Sequence, residues 1–418
     1  MKRKSPRWAI ASIVLVTAVF SGADWTRFRG PNGDGVADDK GLPNTWGPAN
    51  IVWKTALPGF GSSSPITLGD KIFLTAYSGY GLDKDKPGKQ EELTRHLVCL
   101  SRGTGELLWD KSVKAAIPEQ DYGGFMALHG YASSTPATDG KAVYVFFGRS
   151  GVYAYSLTGD ELWHGDVGSK VHGWGSATSP VLAGNLLIVN ASVESQAVVA
   201  LDKATGKEVW RVGGIAQSWS TPGLLTLPDG KQELVVSIHS KVLGLDPATG
   251  KELWNCAGVL DYTCPAVITH GDVAYVTGAR KPVFMAVRGG GRGDITASHK
   301  LWEAKKGTLV TTPLYREGLL YGISQAGVAF CLMADNGKLV YESRLSGLGT
   351  IYASIVLADG KLFVVSREKG AVVLAAGPEF KELGRGNLDD KSIFDATPVP
   401  SDGKLLLRSD RFLYCIGK

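Results

Sequence analysis

The run Ala200-Leu201-Asp202-Lys203-Ala204-Thr205-Gly206-Lys207-Glu208-Val209-Trp210 returns as Gly244-Leu245-Asp246-Pro247-Ala248-Thr249-Gly250-Lys251-Glu252-Leu253-Trp254. In both copies an apolar segment reaches an Asp, turns through Thr-Gly and resumes toward a Trp. The Asp and Thr side chains can hydrogen-bond within such a turn, where Gly supplies a positive φ. The Trp is expected to lie across a small residue of a neighbouring unit, the slot held by Ala200 and Gly244. Ala154, Cys99, Cys331 and Cys415 fall in the same slot, so these three thiols read as small apolar fillers.

Around this run a longer phrase recurs. A small or hydroxyl residue precedes Pro65, Pro136, Pro180, Pro222, Pro265, Pro313 and Pro398, and Ile355 stands in the equivalent place. A first turn follows at Gly69, Gly140, Gly184, Gly230, Gly271, Gly318, Gly360 and Gly403, so both series have eight members. Each phrase carries four short runs with period-two alternation and no helical stretch between them. Residues 50–418 shared among eight phrases give about 46 residues each, the size of a four-stranded propeller blade. The fold expected is therefore all-β, an eight-bladed propeller. The last phrase ends at Ile416 with three strands, and the missing Trp strand stands at the start as residues 50–56, around Trp53. Pairing these two ends would seal the ring and leave no open seam. The full Trp series reads Trp53, Trp109, Trp163, Trp210, Trp254, Trp302, Tyr341 and Leu383.

Composition sets the compartment. Residues 1–23 hold Lys2, Arg3, Lys4 and Arg7, an apolar run from Trp8 to Phe20, and the small residues Ser21-Gly22-Ala23. This is the pattern of a cleaved secretory leader, so a periplasmic or secreted chain beginning near Asp24 is expected, soluble and monomeric. Residues 24–49 form an N-terminal extension to the propeller of 50–418. Removing the leader takes the net charge from +5 to +1, which speaks against nucleic acid as a partner. Export permits disulfides, and Cys256 with Cys264, flanking the junction of two repeats, is the candidate pair.

The phrase A-x-D-x-x-T-G-x-x-x-W resembles the tryptophan-docking motif of the pyrroloquinoline-quinone (PQQ)-type propellers, among them quinoprotein alcohol dehydrogenases and the BamB assembly lipoproteins. Asp24–Val36 ("DWTRFRGPNGDGV") is similar to the opening of exported PQQ-like repeat proteins. For a dehydrogenase the resemblance implies PQQ and calcium, with adjacent cysteines over the quinone. No Cys-Cys pair exists here and no calcium ligands can be assigned. The expectation is thus no catalytic residue, no metal and no cofactor, and a binding or scaffold propeller of the cell envelope. A PQQ-dependent oxidoreductase and a carbohydrate-binding or lyase-type propeller are the alternatives.

In a propeller the blade-to-blade loops and the second-to-third-strand turns gather at one mouth. Two long insertions, residues 76–95 and 111–131, belong to that set and are expected to cover it. Repeat alignment brings Arg149, Glu194, His239, Arg280, Gln325, Arg367 and Arg408 to the turns there. His129, His172, Trp174, Trp219, Asp261, Tyr262 and Tyr352 fall just before the inner strands. The four Arg and the aromatics predict a mildly cationic, aromatic-walled funnel suited to an anionic or sugar-like ligand or an acidic peptide of an unidentified protein. Gly289–Asp294 ("GGGRGD") reads as an enlarged hairpin loop, and Asp83–Gly88 as a solvated loop rather than a calcium loop.

Overall fold

The computed structural model describes residues 24–418; the leader reading falls on residues outside this range. Eight sheets of four antiparallel strands radiate around an axis, spanning residues 66–114, 137–165, 181–213, 223–257, 268–304, 314–344, 356–386 and 399–416 (blades 1–8). Blade 8 has only three strands of its own. Its outer strand is Ile51–Ala56, antiparallel to Phe412–Ile416 with Trp53 opposite Cys415 and Lys54 opposite Tyr414, as the repeat count requires. Middle strands such as Ala142–Phe146 are buried throughout because each blade is covered on both faces. Outer strands such as Ile51–Ala56 alternate half-buried and exposed positions, the pattern of a half-solvated edge.

The Trp series joins the blades in a different way from that expected. Ala200 pairs in register with Trp210 of its own blade, next to a bulge, so the small slot relieves crowding within one sheet. The neighbouring blade supplies the turn instead. Trp163 Nε1 donates to Lys203 O at 3.0 Å and Trp302 Nε1 to Ala334 O at 2.9 Å. The indole lies flat over the turn glycine: a Cβ on Gly206, whose φ is 71°, would sit 2.4 Å from Trp163. Only glycine satisfies both the turn and the close approach.

Three blades depart from this rule, the simplest being blade 6, where Tyr341 replaces the indole and packs edge-on to Phe380 at 5.8 Å. Trp254 finds no Thr-Gly turn on blade 5, whose third hairpin is the enlarged loop; its Nε1 bonds the buried Glu233 at 2.6 Å, and Gly293–Asp294 adds a parallel fifth strand beyond it. On blade 7 the expected Leu383 sits in the bulge, and Gly384 takes the slot opposite Val373. The gap is filled from elsewhere, by Trp46 of the N-terminal extension, which bridges to Gly386 and packs on Phe363 at 6.4 Å.

That extension crosses the face opposite the mouth. Trp25 exchanges hydrogen bonds with Thr67 of blade 1, and Thr26 O accepts Thr138 N–H of blade 2. Arg29 then enters the axis. Its guanidinium donates to Thr312 O and Ile355 O at 3.2 Å, Pro313 O at 2.7 Å and Asp34 O at 2.9 Å. Val36–Ala37 pairs in parallel with the inner strand of blade 7. The extension is therefore a plug across the lower end of the channel, which the sequence did not reveal.

All five cysteines are free. The expected Cys256–Cys264 bond is corrected: Cys256 lies on the outer strand of blade 4, opposite Val242, while Cys264 stands at the axis of blade 5 and lines the channel. A radius of the blade separates them.

Candidate functional site

The residue before the marker position is a hydroxyl in every repeat but the fifth, for a structural reason. Ser64 N–H donates to Thr135 Oγ1 of the next blade at 3.0 Å, Thr135 N–H to Ser179 Oγ at 3.0 Å, and Ser179 N–H to Thr221 Oγ1 at 3.0 Å. The chain resumes from Thr312 to Ser354 at 2.9 Å, Ser354 to Thr397 at 3.2 Å and Thr397 back to Ser64 at 3.1 Å. This girdle of backbone-to-hydroxyl bonds is broken only on blade 5, where Cys264 replaces the hydroxyl and Ala266 N–H reaches Thr312 instead. Cys264 is half-buried, and its removal from bulk solvent pushes its thiol up to about 12, so it stays protonated.

Two residues earlier in each repeat lies a second ring: Ser62, Ser133, Ala177, Trp219, Tyr262, Val310, Tyr352 and Asp395. Both rings line one cavity of about 500 Å3, with Phe28 of the plug among the lining residues. The channel is thereby a blind funnel. On blades 1–3 the second ring is small, and the space is taken by Phe125, Leu128 and His129 of the 111–131 insertion and by Trp174. A short helix, Met126–His129, carries two of these. His129 is clamped, Nδ1 to Ser133 Oγ at 2.6 Å and Nε2 to Trp174 O at 2.9 Å, and burial holds its pKa below the usual value. The other insertion braces the first. Its strands extend further than read, to Ser78 and from Thr94, and Gln90 and Tyr80 bond Glu119 O and Tyr122 N.

Of the eleven sequence-predicted site residues, His129, Trp174, Trp219, Tyr262, Arg280, Tyr352 and Arg367 line the cavity. His172 sits behind, edge-on to Trp219 at 4.9 Å. Arg149 holds loops together through Ser169 O and Ile117 O, and His239 is exposed away from the funnel. Arg408 is buried in the wall, donating to Ser63 O at 2.6 Å, and burial lowers its pKa to about 9. The cationic funnel therefore does not materialise. Its two lining arginines are paired, Arg280 with Asp261 at 3.0 Å and Arg367 with Asp395 at 2.8 Å. The Arg280 bond draws the Asp261 carboxyl down to about 2. Burial acts the other way on Asp395 and raises it to about 7 despite Arg367.

Sequence reasoning missed Asp395, although the signal was present: it stands three residues before Pro398, the offset of Trp219 from Pro222 and Tyr262 from Pro265. Trp174 is the hub of the aromatic wall, 4.4 Å from Tyr262, 4.8 Å from Trp219 and 5.2 Å from Phe125 between ring centroids. Among the described residues no three His, Cys, Asp or Glu side chains converge to hold a metal. With Cys264 alone in the funnel, the residues present do not fit a calcium–quinone centre.

Glu194 lies under the mouth with its carboxyl accepting from Ser176, facing Glu119 and Arg95. Burial raises it from 4.5 to about 7. The folded state then holds its proton where the unfolded chain has lost it, so stability falls as pH rises from about 4.5 to about 7. Glu194→Gln is expected to gain on the order of 2–3 kcal/mol over wild type at pH 8 and nothing at pH 4. Equal urea midpoints for the two proteins at pH 8 would contradict the assignment.

Residues 94–263 match the sequence profile of the family described as outer membrane protein assembly factor BamB. Among solved structures the chain is similar to BamB from Moraxella catarrhalis, with 13% identity, TM-score 0.62, and coverage of 88% of this chain and 97% of that one. It is also similar to quinohemoprotein alcohol dehydrogenase from Comamonas testosteroni (12% identity, TM-score 0.58, 94% of this chain and 81% of that one). A europium-containing methanol dehydrogenase aligns with 12% identity, TM-score 0.62, and coverage of 92% and 89%. No curated protein matches significantly by sequence. No helix among the described residues is long and apolar enough to cross a membrane. In fold the chain is an eight-bladed β-propeller, similar in structure to BamB and to the alcohol and methanol dehydrogenases above, with a BamB-type repeat profile over residues 94–263.

Proposed function

We propose that this chain is a non-catalytic binding propeller of the cell envelope, exported by its leader, which holds a small ligand in the funnel. The observation that carries this reading is the blind cavity of about 500 Å3 with Phe28 of the plug in its lining and the Trp174 cluster along one wall. A structural ring needs its blades fastened, which the Trp docking already does; it does not need a large, aromatic-lined hollow that leaves Trp174 and Tyr262 half-buried. The girdle of hydroxyls and the clamped His129 pre-form the walls, so binding carries little ordering cost. The fold it shares with BamB and with the dehydrogenases is compatible with a scaffold and with an enzyme alike; the donor set of the funnel favours binding.

The test is a thermal-shift panel of sugars, amines, carboxylates, peptides, and PQQ with calcium. A ligand at one hundred times its Kd is expected to add about 2.7 kcal/mol of stability, and Trp174→Ala to weaken that ligand about tenfold. Dye-linked alcohol or aldose oxidation after reconstitution with PQQ and calcium would replace this reading with the oxidoreductase one. A panel in which nothing binds would remove the ligand site altogether.

A further inference from the structure

Resting on the reading of the funnel as a ligand site, we propose that it takes a neutral saccharide, one pyranose ring lying between the aromatic wall and Asp395. Charge decides first. Each arginine that reaches the cavity is already bonded to an acidic side chain, Arg367 to Asp395 and Arg280 to Asp261, so neither guanidinium is free to grip an anionic ligand. The polar wall decides second. Asp395 Oδ2 accepts from Arg367, but Oδ1 is buried, faces no donor, and belongs to a side chain only 6% exposed on the cavity lining. An orphaned buried acceptor is costly until a donor arrives, and a ligand hydroxyl is such a donor. Gln325 and Tyr352 line the same side, and Tyr352 is stacked under the Arg367 guanidinium at 4.9 Å. Together they offer donors and acceptors side by side, which vicinal hydroxyls, each both donor and acceptor, can satisfy.

The opposite wall completes the match. Asp395 and Trp219 hold the same repeat position on blades 8 and 4, which face each other across an eight-blade ring. Trp219, Trp174 and Tyr262 there form one packed apolar surface. A pyranose has this dual character, an apolar C–H face and a hydroxyl-bearing edge. A flat quinone lacks the hydroxyl donors that Asp395 Oδ1 needs, and a free carboxylate would meet that oxygen as a second acceptor.

The experiment uses the mature chain, with neutral mono- and disaccharides (glucose, galactose, mannose, cellobiose, maltose) titrated by calorimetry and by tryptophan fluorescence. At least one sugar is expected to bind saturably, and Asp395→Asn, which keeps the shape but turns an acceptor edge into a donor, to weaken it about tenfold. Tyr352→Phe is a second variant that leaves the Arg367–Asp395 pair intact and is expected to weaken the same sugar severalfold. Unfolding curves of both variants separate lost binding from lost structure. Sugar binding unchanged in both folded variants would overturn the placement. If sugars fail while an amine or quinone from the wider panel binds in a Trp174-dependent way, the saccharide inference falls and the funnel remains a binding site. If nothing binds, both fall.

Discussion

A chain lacking residues 51–56 is expected to lose its single cooperative unfolding transition and to elute as an expanded or associated species. The strand Ile51–Ala56 contributes the whole outer ladder of blade 8, from Ile51 opposite Ile416 to Ala56 opposite Phe412. Trp53 covers Gly105 of blade 1, where a Cβ would sit 2.4 Å from the ring, and packs against the core that holds Val98, Leu100 and Cys415. Without the strand, blade 8 presents an unpaired edge and blade 1 loses its neighbour's indole, so two blades are exposed at one seam. The expected loss exceeds about 5 kcal/mol, a large part of the stability of a typical domain. Trp53→Ala, which keeps the ladder and removes only the ring, is expected to cost about 3–5 kcal/mol. Urea denaturation followed by tryptophan fluorescence, with size-exclusion chromatography, checks both; a truncated chain with the midpoint of the intact one would show that the closure is dispensable.

Arg29→Met carries the second large effect. The guanidinium satisfies carbonyls of Thr312, Pro313 and Ile355 on blades 6 and 7 from a side chain that is almost wholly buried. Burial lowers its pKa to about 10, so it remains charged at neutral pH. Methionine has similar reach and no donor, leaving three buried carbonyls without their partner; the cost is about 3–5 kcal/mol. Arg29→Lys is not expected to rescue, since a single ammonium cannot span acceptors that a planar fork reaches from two nitrogens. The adjacent Phe28 would lose its anchor, so ligand affinity should fall together with the urea midpoint. A variant as stable as wild type would mean that the carbonyls find water instead, and that the plug is not held by Arg29.

The ring and its closure were legible because they rest on residues that repeat. Seven prolines with Ile355 in the eighth place, eight turn glycines and one misplaced Trp strand leave little freedom in how the chain is folded. What escaped was whatever breaks the period. Leu383 matched the Trp slot by spacing, but the bulge moves the slot to Gly384, and Trp46, far away in sequence, fills the hole. Cys256 and Cys264 are close in the chain yet sit at opposite ends of a blade radius, a separation that spacing does not carry. Of the four arginines expected at the mouth, Arg280 and Arg367 line the cavity, and their pairing with Asp261 and Asp395 was not legible because it joins residues of different turns. Asp395 itself was missed because the positions three residues before each marker proline were not counted through to the eighth repeat.

The pairing of Ile51 with Ile416 also governs how the protein is made. A strand near one end of the chain must wait, solvated and unpartnered, while every intervening blade forms. Such a high-contact-order step is slow, and an alternating strand held waiting is open to pairing with another molecule. The half-exposed pattern of Ile51–Ala56, with Lys54 pointing outward beside Asp390, puts a charge on that edge during the delay.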